Sequence, residues 1–328
     1  MGDDRESGSM AAATAILNGD HAHGLIAQHC RQLVELQGPV LANREPEPLR
    51  QMDDHLRRLH TTLLQFEPAL ELPEGLSVKR LAKSQRRLAI ASDLDRLRER
   101  LDAVFLPQTP EREVRRLKPV LRQLKRERQL AHDHLGEALR SPGHLEQLAL
   151  LQGWLREPCY AALGQEPLRA WLLEWQADPA PLLLQRGWWV AERREGPASL
   201  RELGACIDSH GDRLDNLPLP GTAALRRWRQ QLRQGRDLLA ELDDLEVLRK
   251  AIDEQLRDGI ERTVPKLDWL MEQHHLQCWR LWRDLAASLL ATPKRQRRPL
   301  QRLAEGQERS GVAGRLRAAL IQLATRLG

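Results

Sequence analysis

Cysteine, aromatic residues and β-branched side chains are all scarce in this sequence. The four Cys in 328 residues, at positions 30, 159, 206 and 278, share no paired spacing. That excludes a disulfide scaffold and suits a reducing cytoplasm, the expected location. Aromatic residues make up 4% of the chain, and Val plus Ile number 17 against 63 Leu. Sheets favour β-branched and aromatic side chains, so an all-α protein is expected. No run of about 18 apolar residues occurs and no charged-then-apolar leader opens the chain, so neither a membrane partner nor export is expected. Gly-x-Gly-x-x-Gly, a Walker loop, Gly-x-Ser-x-Gly and Cys-x-x-Cys are missing too. Nothing therefore points to an enzyme, and no cofactor is expected.

What the chain does carry is arginine. Its 51 basic residues divide into 44 Arg and 7 Lys, and the net charge is +5. Arg grips phosphate with a planar, always-charged fork, whereas Lys acts as a point charge. The distribution matters more than the total. Residues 1–78 hold 6 basic and 12 acidic side chains, net −6, whereas residues 79–128 hold 16 and 7, net +9. One stretch of 50 residues thus exceeds the charge of the whole chain, and such a concentrated basic surface usually meets a polyanion.

Residues 1–13 lack apolar periodicity and read as a disordered start. A helix is expected from about Ile16 to Leu41. Leu49, Met52, Leu56, Leu59 and Leu63 then recur at spacings of 3, 4, 3 and 4, the signature of an amphipathic helix. Phe66-Glu67-Pro68 ends it. The next helix runs through Leu81, Leu88, Leu94, Leu97 and Leu101, and a long basic one from Glu111 to Leu139, with Pro119 predicting a kink or a late start. Residues 151–199 form a Trp- and Pro-rich connection carrying Trp154, Trp171, Trp175, Trp188 and Trp189. Helical periodicity resumes from Leu200, through 223–257 and 266–290. Lys294 to Arg298 reads as a basic linker and 299–327 as one more helix.

The chain also repeats itself at an offset of 151. Leu49-Arg50-Gln51-Met52 matches Leu200-Arg201-Glu202-Leu203, and Leu88 through Arg98 matches Leu239 through Arg249. The expected architecture is two pseudo-twofold-related four-helix bundles, at 14–150 and 151–293, followed by a C-terminal element at 294–328.

The residues of this repeat resemble a known family. Leu49-Arg50-Gln51-Met52 through Arg57-Arg58-Leu59 is similar to the opening helix of the conserved histidine α-helical domain, CHAD. Ser92-Asp93-Leu94-Asp95 resembles its Arg-Asp-Leu-Asp element, Leu242-Asp243-Asp244-Leu245 its second-half counterpart, and Leu117 to Leu139 its Arg-rich third helix. The resemblance covers about residues 23–290. It implies a pair of helical bundles whose facing helices line a basic cavity for inorganic polyphosphate, a non-catalytic binder found at polyphosphate granules. By this resemblance the chain is identified as a diverged member lacking the family's histidines. The first falls on Arg50, and the stripe at 50, 53, 57 and 60 reads Arg, Asp, Arg, His, while its repeat reads Arg201, Gly204, Asp208, Gly211.

Basic residues at helical spacing are the natural candidates for the polyphosphate site. They are Arg50, Arg57 and Arg58; Lys79, Arg80, Lys83, Arg86 and Arg87; Arg115, Lys118, Arg122, Lys125 and Arg126; and, in the second half, Arg201, Arg229, Arg233 and Arg236. Asp93, Asp95, Asp243, Asp244 and Glu246 read as orienters of neighbouring arginines or as helix caps rather than as a catalytic pair. Cys206 with His210, and His274 with Cys278, stand at i, i+4 and would supply four zinc ligands if their helices faced each other. The offset maps His210 onto the apolar position Leu59, so a core histidine is the default reading and no metal is assigned. The Trp pairs read as core packing. The alternative to polyphosphate is a diverged helical scaffold that docks a protein partner, its phosphate cavity vestigial. Specific nucleic-acid binding is not expected, because no reader motif occurs.

Overall fold

The computed structural model describes residues 16–43, 45–168, 197–218 and 223–291. The segments 1–13 and 294–328, and Trp171, Trp175, Trp188 and Trp189, lie outside the described residues. The described elements are almost all helical. α1 spans Asn18–Ala42, α2 Glu47–Gln65, α3 Val78–Arg100, α4 Glu111–Arg116, α5 Lys118–Arg140, α6 Pro142–Arg156, α7 Pro197–Asp215, α8 Ala223–Gln255, α9 Gly259–Thr263 and α10 Pro265–Ala291. A two-residue antiparallel ladder, β1 Leu70–Glu71 with β2 Cys159–Tyr160, ties the loop after α2 to the chain beyond α6. None of these helices is long and apolar enough to cross a membrane.

The boundaries follow from local chemistry. Ser77 caps α3 by accepting the Arg80 amide, and Ser141 caps α6 by accepting that of His144. α1 ends on Asn43, the one described non-glycine residue in the left-handed region (φ 46°), whose N–H closes onto Pro39 O and Val40 O. The long basic segment splits at Leu117, because Pro119 fits only in the first turn of a helix; α4 stops and α5 starts there. α3 runs on into a π-helical turn at Leu101–Phe105, a widening often found beside functional sites.

Three apolar cores result. In the first, the stripe Leu49, Met52, Leu56, Leu59 and Leu63 of α2 is at most 2% exposed. It packs on Ile26 and Leu33 of α1, Leu88 of α3, Leu139 of α5 and Trp154 of α6. The second gathers Leu203 and Ile207 of α7, Trp228, Leu232 and Leu239 of α8, and Trp279 and Trp282 of α10. The third is shared. Leu97, Phe105, Leu117 and Leu124 from the first half meet Leu245, Leu248, Ile252 and Met271 from the second. At about 1.5–3 kcal/mol per buried large side chain, this shared core is the main apolar bond between the halves. The 33 residues of α8 reach from the second core into it. α2 also meets the end of α7 through polar contacts: Asn216, the residue after α7, donates through Nδ2 to Thr62 Oγ1 (3.0 Å) and to Gln65 Oε1 (2.9 Å).

Where the β1 loop crosses the turn after β2, Gly164 lies directly against backbone. A Cβ on it would stand 2.2 Å from Ala69 O, and no side-chain rotation relieves that. Gly164→Ala is therefore expected to lower unfolding stability by about 1–3 kcal/mol, read from urea melts at unchanged m. Gly153→Ala, with open space around it inside α6, is the comparison, expected to gain about 0.5–1 kcal/mol because alanine suits a helix interior better than glycine.

Candidate functional site

The polar faces of α2, α7 and α8 meet between the halves. On α2, Asp54, Arg57 and Arg58 share a face by i, i+3 and i+4 spacing. α7 presents Asp208, Asp212 and Asp215, and α8 presents Arg229, Arg233 and Arg236, each at i, i+4 and i+7. Arg57 bonds both Asp212 and Asp54, and Arg58 Nε reaches Asp54 Oδ2 at 2.8 Å. Arg229 and Arg233 each stand 3.2 Å from a different oxygen of Asp215, and Arg236 lies 3.6 Å from Asp208. Asp212 is 4% exposed. Burial pushes its carboxyl up to about 6, because Arg57 and Arg58 only partly offset it and Asp208 and Asp54 repel a further negative charge. Five arginines here are matched by four aspartates.

Next to this cluster a cleft of about 920 Å³ opens between the end of α3, α8 and α10. Arg96 and Arg100 enter it from α3, one turn apart. Asp244 of α8, 4% exposed, holds both: Arg96 Nε and Nη2 fork onto its two oxygens at 2.5 and 2.8 Å, and Arg100 Nη1 adds a third bond at 2.5 Å. Arg100 also bonds Glu241, whose Oε1 lies 2.8 Å from His274 Nε2. Hydrogen bonds to Cys278 and Glu241 raise His274 to about 9. Arg50 bonds Glu99 at the edge of the cleft. Like the neighbouring cluster, the cleft is rich in guanidinium groups, most of them already committed to carboxylates.

The outer surface of the first half differs. α3 and α5 run antiparallel. Asp95 of α3 takes Arg128 and His132 of α5, and Ser84 Oγ lies 3.4 Å from His144, just beyond the end of α5. Arg128 and His132 hold Asp95 below the usual carboxylate range despite its burial. Lys79, Lys83, Arg86 and Arg87 on α3, and Lys118, Arg122, Lys125 and Arg126 on α5, are exposed. None of these eight pairs with a carboxylate among the described residues. They form two clusters, since Lys83 lies beside the end of α5 while Arg122 lies some 18 residues earlier, roughly 30 Å away at 1.5 Å per residue.

The structure thus joins Arg57, Arg58, Arg229, Arg233 and Arg236 and sets the other candidates apart. Arg80 lies 3.8 Å from Glu146, Arg115 bonds Glu111 one turn back in its own helix, and Arg201 forks onto Asp243. Cys206, His210, His274 and Cys278 do not assemble into one four-ligand set. α8 lies between α7 and α10, and His210 packs edge-on against Trp228 in the second core. His274 and Cys278 instead meet Glu241. Arg96, Arg100 and Glu241 escaped the sequence reading. The available signal was the i, i+4 pair Arg96/Arg100 directly after Asp93-Leu94-Asp95, whose positions 151 residues on are Val247 and Ala251.

Comparison with known proteins identifies the architecture. No curated protein matches the chain. Among solved structures, the crystal structure of the CHAD domain from the plant Ricinus communis is similar, with a TM-score of 0.61 and 17% identity over 85% of this chain and 92% of that one. PptA from Streptomyces chartreusis is similar with a TM-score of 0.57 and 16% identity, over 84% of this chain and 98% of that one. Likeness at such identity speaks to the fold alone. The sequence itself matches the model of the CHAD domain over residues 24–194. That match spans more than half of the chain, and the helical architecture is shared along most of its length, so the chain belongs to the CHAD domain family.

Proposed function

We propose that this protein is a non-catalytic, cytoplasmic binder of inorganic polyphosphate, gripping it along the exposed basic faces of α3 and α5 and acting at polyphosphate granules. Its family is one linked to polyphosphate binding. The observation that carries the reading is the contrast between the two sets of cations. The arginines facing the inter-half cluster are neutralised in place, whereas eight lysines and arginines on α3 and α5 are exposed and meet no carboxylate among the described residues. An anion that binds the outer faces displaces only water and counterions. One that enters the cleft must compete with Asp244, Glu241 and Asp215. Two clusters roughly 30 Å apart favour a long, flexible polyanion over a small phosphate ester.

The test is titration of short- and long-chain polyphosphate, with single-stranded DNA as control, at two salt concentrations. Six or more contacts predict an affinity loss of about a thousandfold between 50 and 200 mM salt, by analogy with other polyanions. Lys83→Glu/Arg122→Glu, with helicity unchanged, is expected to weaken polyphosphate at least tenfold while Arg233→Glu leaves it near wild type. Loss only in Arg233→Glu would move the site into the cleft. Equal, weak binding of polyphosphate and DNA, untouched by either variant, would sink the reading. It would favour a protein-docking scaffold, for which Ile90 and Leu130, each 56% exposed on these same helices, are the natural contact points.

A further inference from the structure

One cluster in the cleft is not used by polyanion binding. Glu241 on α8 and His274 and Cys278 on α10 place a carboxylate oxygen, a ring nitrogen and a thiol sulfur all within 4.8 Å of one another. We propose that these three side chains form a zinc site with three protein ligands, its fourth position opening onto the cleft.

Geometry and donor chemistry carry this inference. A tetrahedral zinc with nitrogen and oxygen at about 2.0–2.2 Å and sulfur at about 2.3 Å sets its ligand atoms roughly 3.3–3.8 Å apart. His274 Nε2 and Glu241 Oε1 stand at 2.8 Å, and no pair among the three donor atoms exceeds 4.8 Å. Small rotations of side chains therefore open one contact and close the others, without moving a helix. His274 and Cys278 are one turn apart on the same helix, a spacing that brings two ligands to one ion. Sulfur, imidazole and carboxylate together form a set that suits zinc, whereas magnesium and calcium require oxygen shells. The surroundings also resemble a built site. Arg100 donates to Glu241 and so orients the carboxylate from behind, and Phe105 packs edge-on against the His274 ring at 5.8 Å. Cys278 is 5% exposed, held in the second core, yet all three residues line the cleft. The fourth position thus faces open volume and takes an exchangeable oxygen ligand, as zinc sites with an open position do.

The probe is the metal alone on the full chain. Zinc is titrated against a chromogenic chelator, and cobalt is used as its spectroscopic substitute. One equivalent of cobalt is expected to bind with intense tetrahedral ligand-field bands and a thiolate-to-cobalt charge-transfer band. Cys278→Ser should abolish the charge-transfer band, and His274→Gln and Glu241→Gln should each weaken zinc at least tenfold. Cys206→Ser should change neither. Because Cys278→Ser alters a buried side chain and can disturb the fold, alkylation of the unmodified chain supplies a readout that needs no variant. One equivalent of zinc should slow the reaction of Cys278, reached through the cleft, with iodoacetamide at least tenfold in timed mass spectra and leave the exposed Cys159 unaffected. Cobalt binding with weak octahedral bands, charge transfer that survives Cys278→Ser, or Cys278 alkylated equally with and without zinc would overturn the proposal.

Discussion

Asp244→Ala is expected to destabilise the protein by about 3 kcal/mol, the lower end of the range for breaking a buried ion pair. Asp244 is 4% exposed and receives three hydrogen bonds from two arginines of the other half. Removing it strands Arg100, whose side chain is only 14% exposed, in a site built for an anion. The loss falls short of the maximum because Glu241 still meets Arg100 and Asp93 still meets Arg96 at 2.9 Å. Asp93→Ala is the internal control. Asp93 is 52% exposed, and its pair with Arg96 spans one turn of a single helix, so its loss should stay below about 1 kcal/mol. Urea melts at equal m make both measurements. A loss below 1 kcal/mol for Asp244→Ala would mean that water or a neighbouring carboxylate takes over both guanidinium groups. The clasp between the halves would then rest on the shared apolar core alone.

That clasp also shows where sequence reading stops. Helices were legible because their determinants are local: the Leu stripe at 3, 4, 3, 4 spacing gave α2, and Pro119 gave the break between α4 and α5. Charge state along those helices was not, because the partners are remote. Arg57 meets Asp212 and Arg96 meets Asp244, some 150 positions apart, and nothing in spacing separates a cation satisfied across the fold from one facing water. Asp244 was visible as an orienter of arginines, but not which arginines it would hold. Likewise the i, i+4 pair His274/Cys278 was visible, while its third member, Glu241, sits on another helix and gave no sign. Pairing it with Cys206/His210 failed for a topological reason, since α8 separates the two helices.

Acid should expose opposing titrations inside this fold, and single substitutions should separate them. His210 and His29, 8% and 5% exposed, are each lowered to about 4 from 6.5, in both cases chiefly by burial. Arg213 adds to the effect at His210. At His29 the contributors are His55, whose Nδ1 lies 3.1 Å from the His29 Nδ1, then Arg58 and Arg57, against which Asp54 works. One ring donates its Nδ1–H to the Nδ1 of the other, so that accepting nitrogen cannot be protonated without breaking the contact. Between pH 6.5 and 4 the unfolded chain takes up protons that the folded histidines refuse, and stability falls as pH falls. At 1.36 kcal/mol per unit, each histidine accounts for about 3 kcal/mol. Asp212 acts in the opposite direction. Raised to about 6 from 3.8, it binds a proton in the fold before it does in the unfolded chain, so stability rises by about 3 kcal/mol as pH falls through that interval. The half-buried Asp53, also pushed up to about 6, works in the same sense. These four groups therefore work against one another between pH 6 and 4, and single substitutions separate their contributions. His210→Gln should remove part of the acid loss, so that its stability relative to wild type improves by about 3 kcal/mol from pH 7 to pH 4. Asp212→Asn should shift relative to wild type by a similar amount in the opposite sense. Fixed costs of either substitution cancel in these differences. Parallel profiles for wild type and both variants would show that neither group keeps its shifted protonation in the folded protein. Opposite slopes would show that α7 carries a histidine and an aspartate, two residues apart, whose burial sets acid stability against itself.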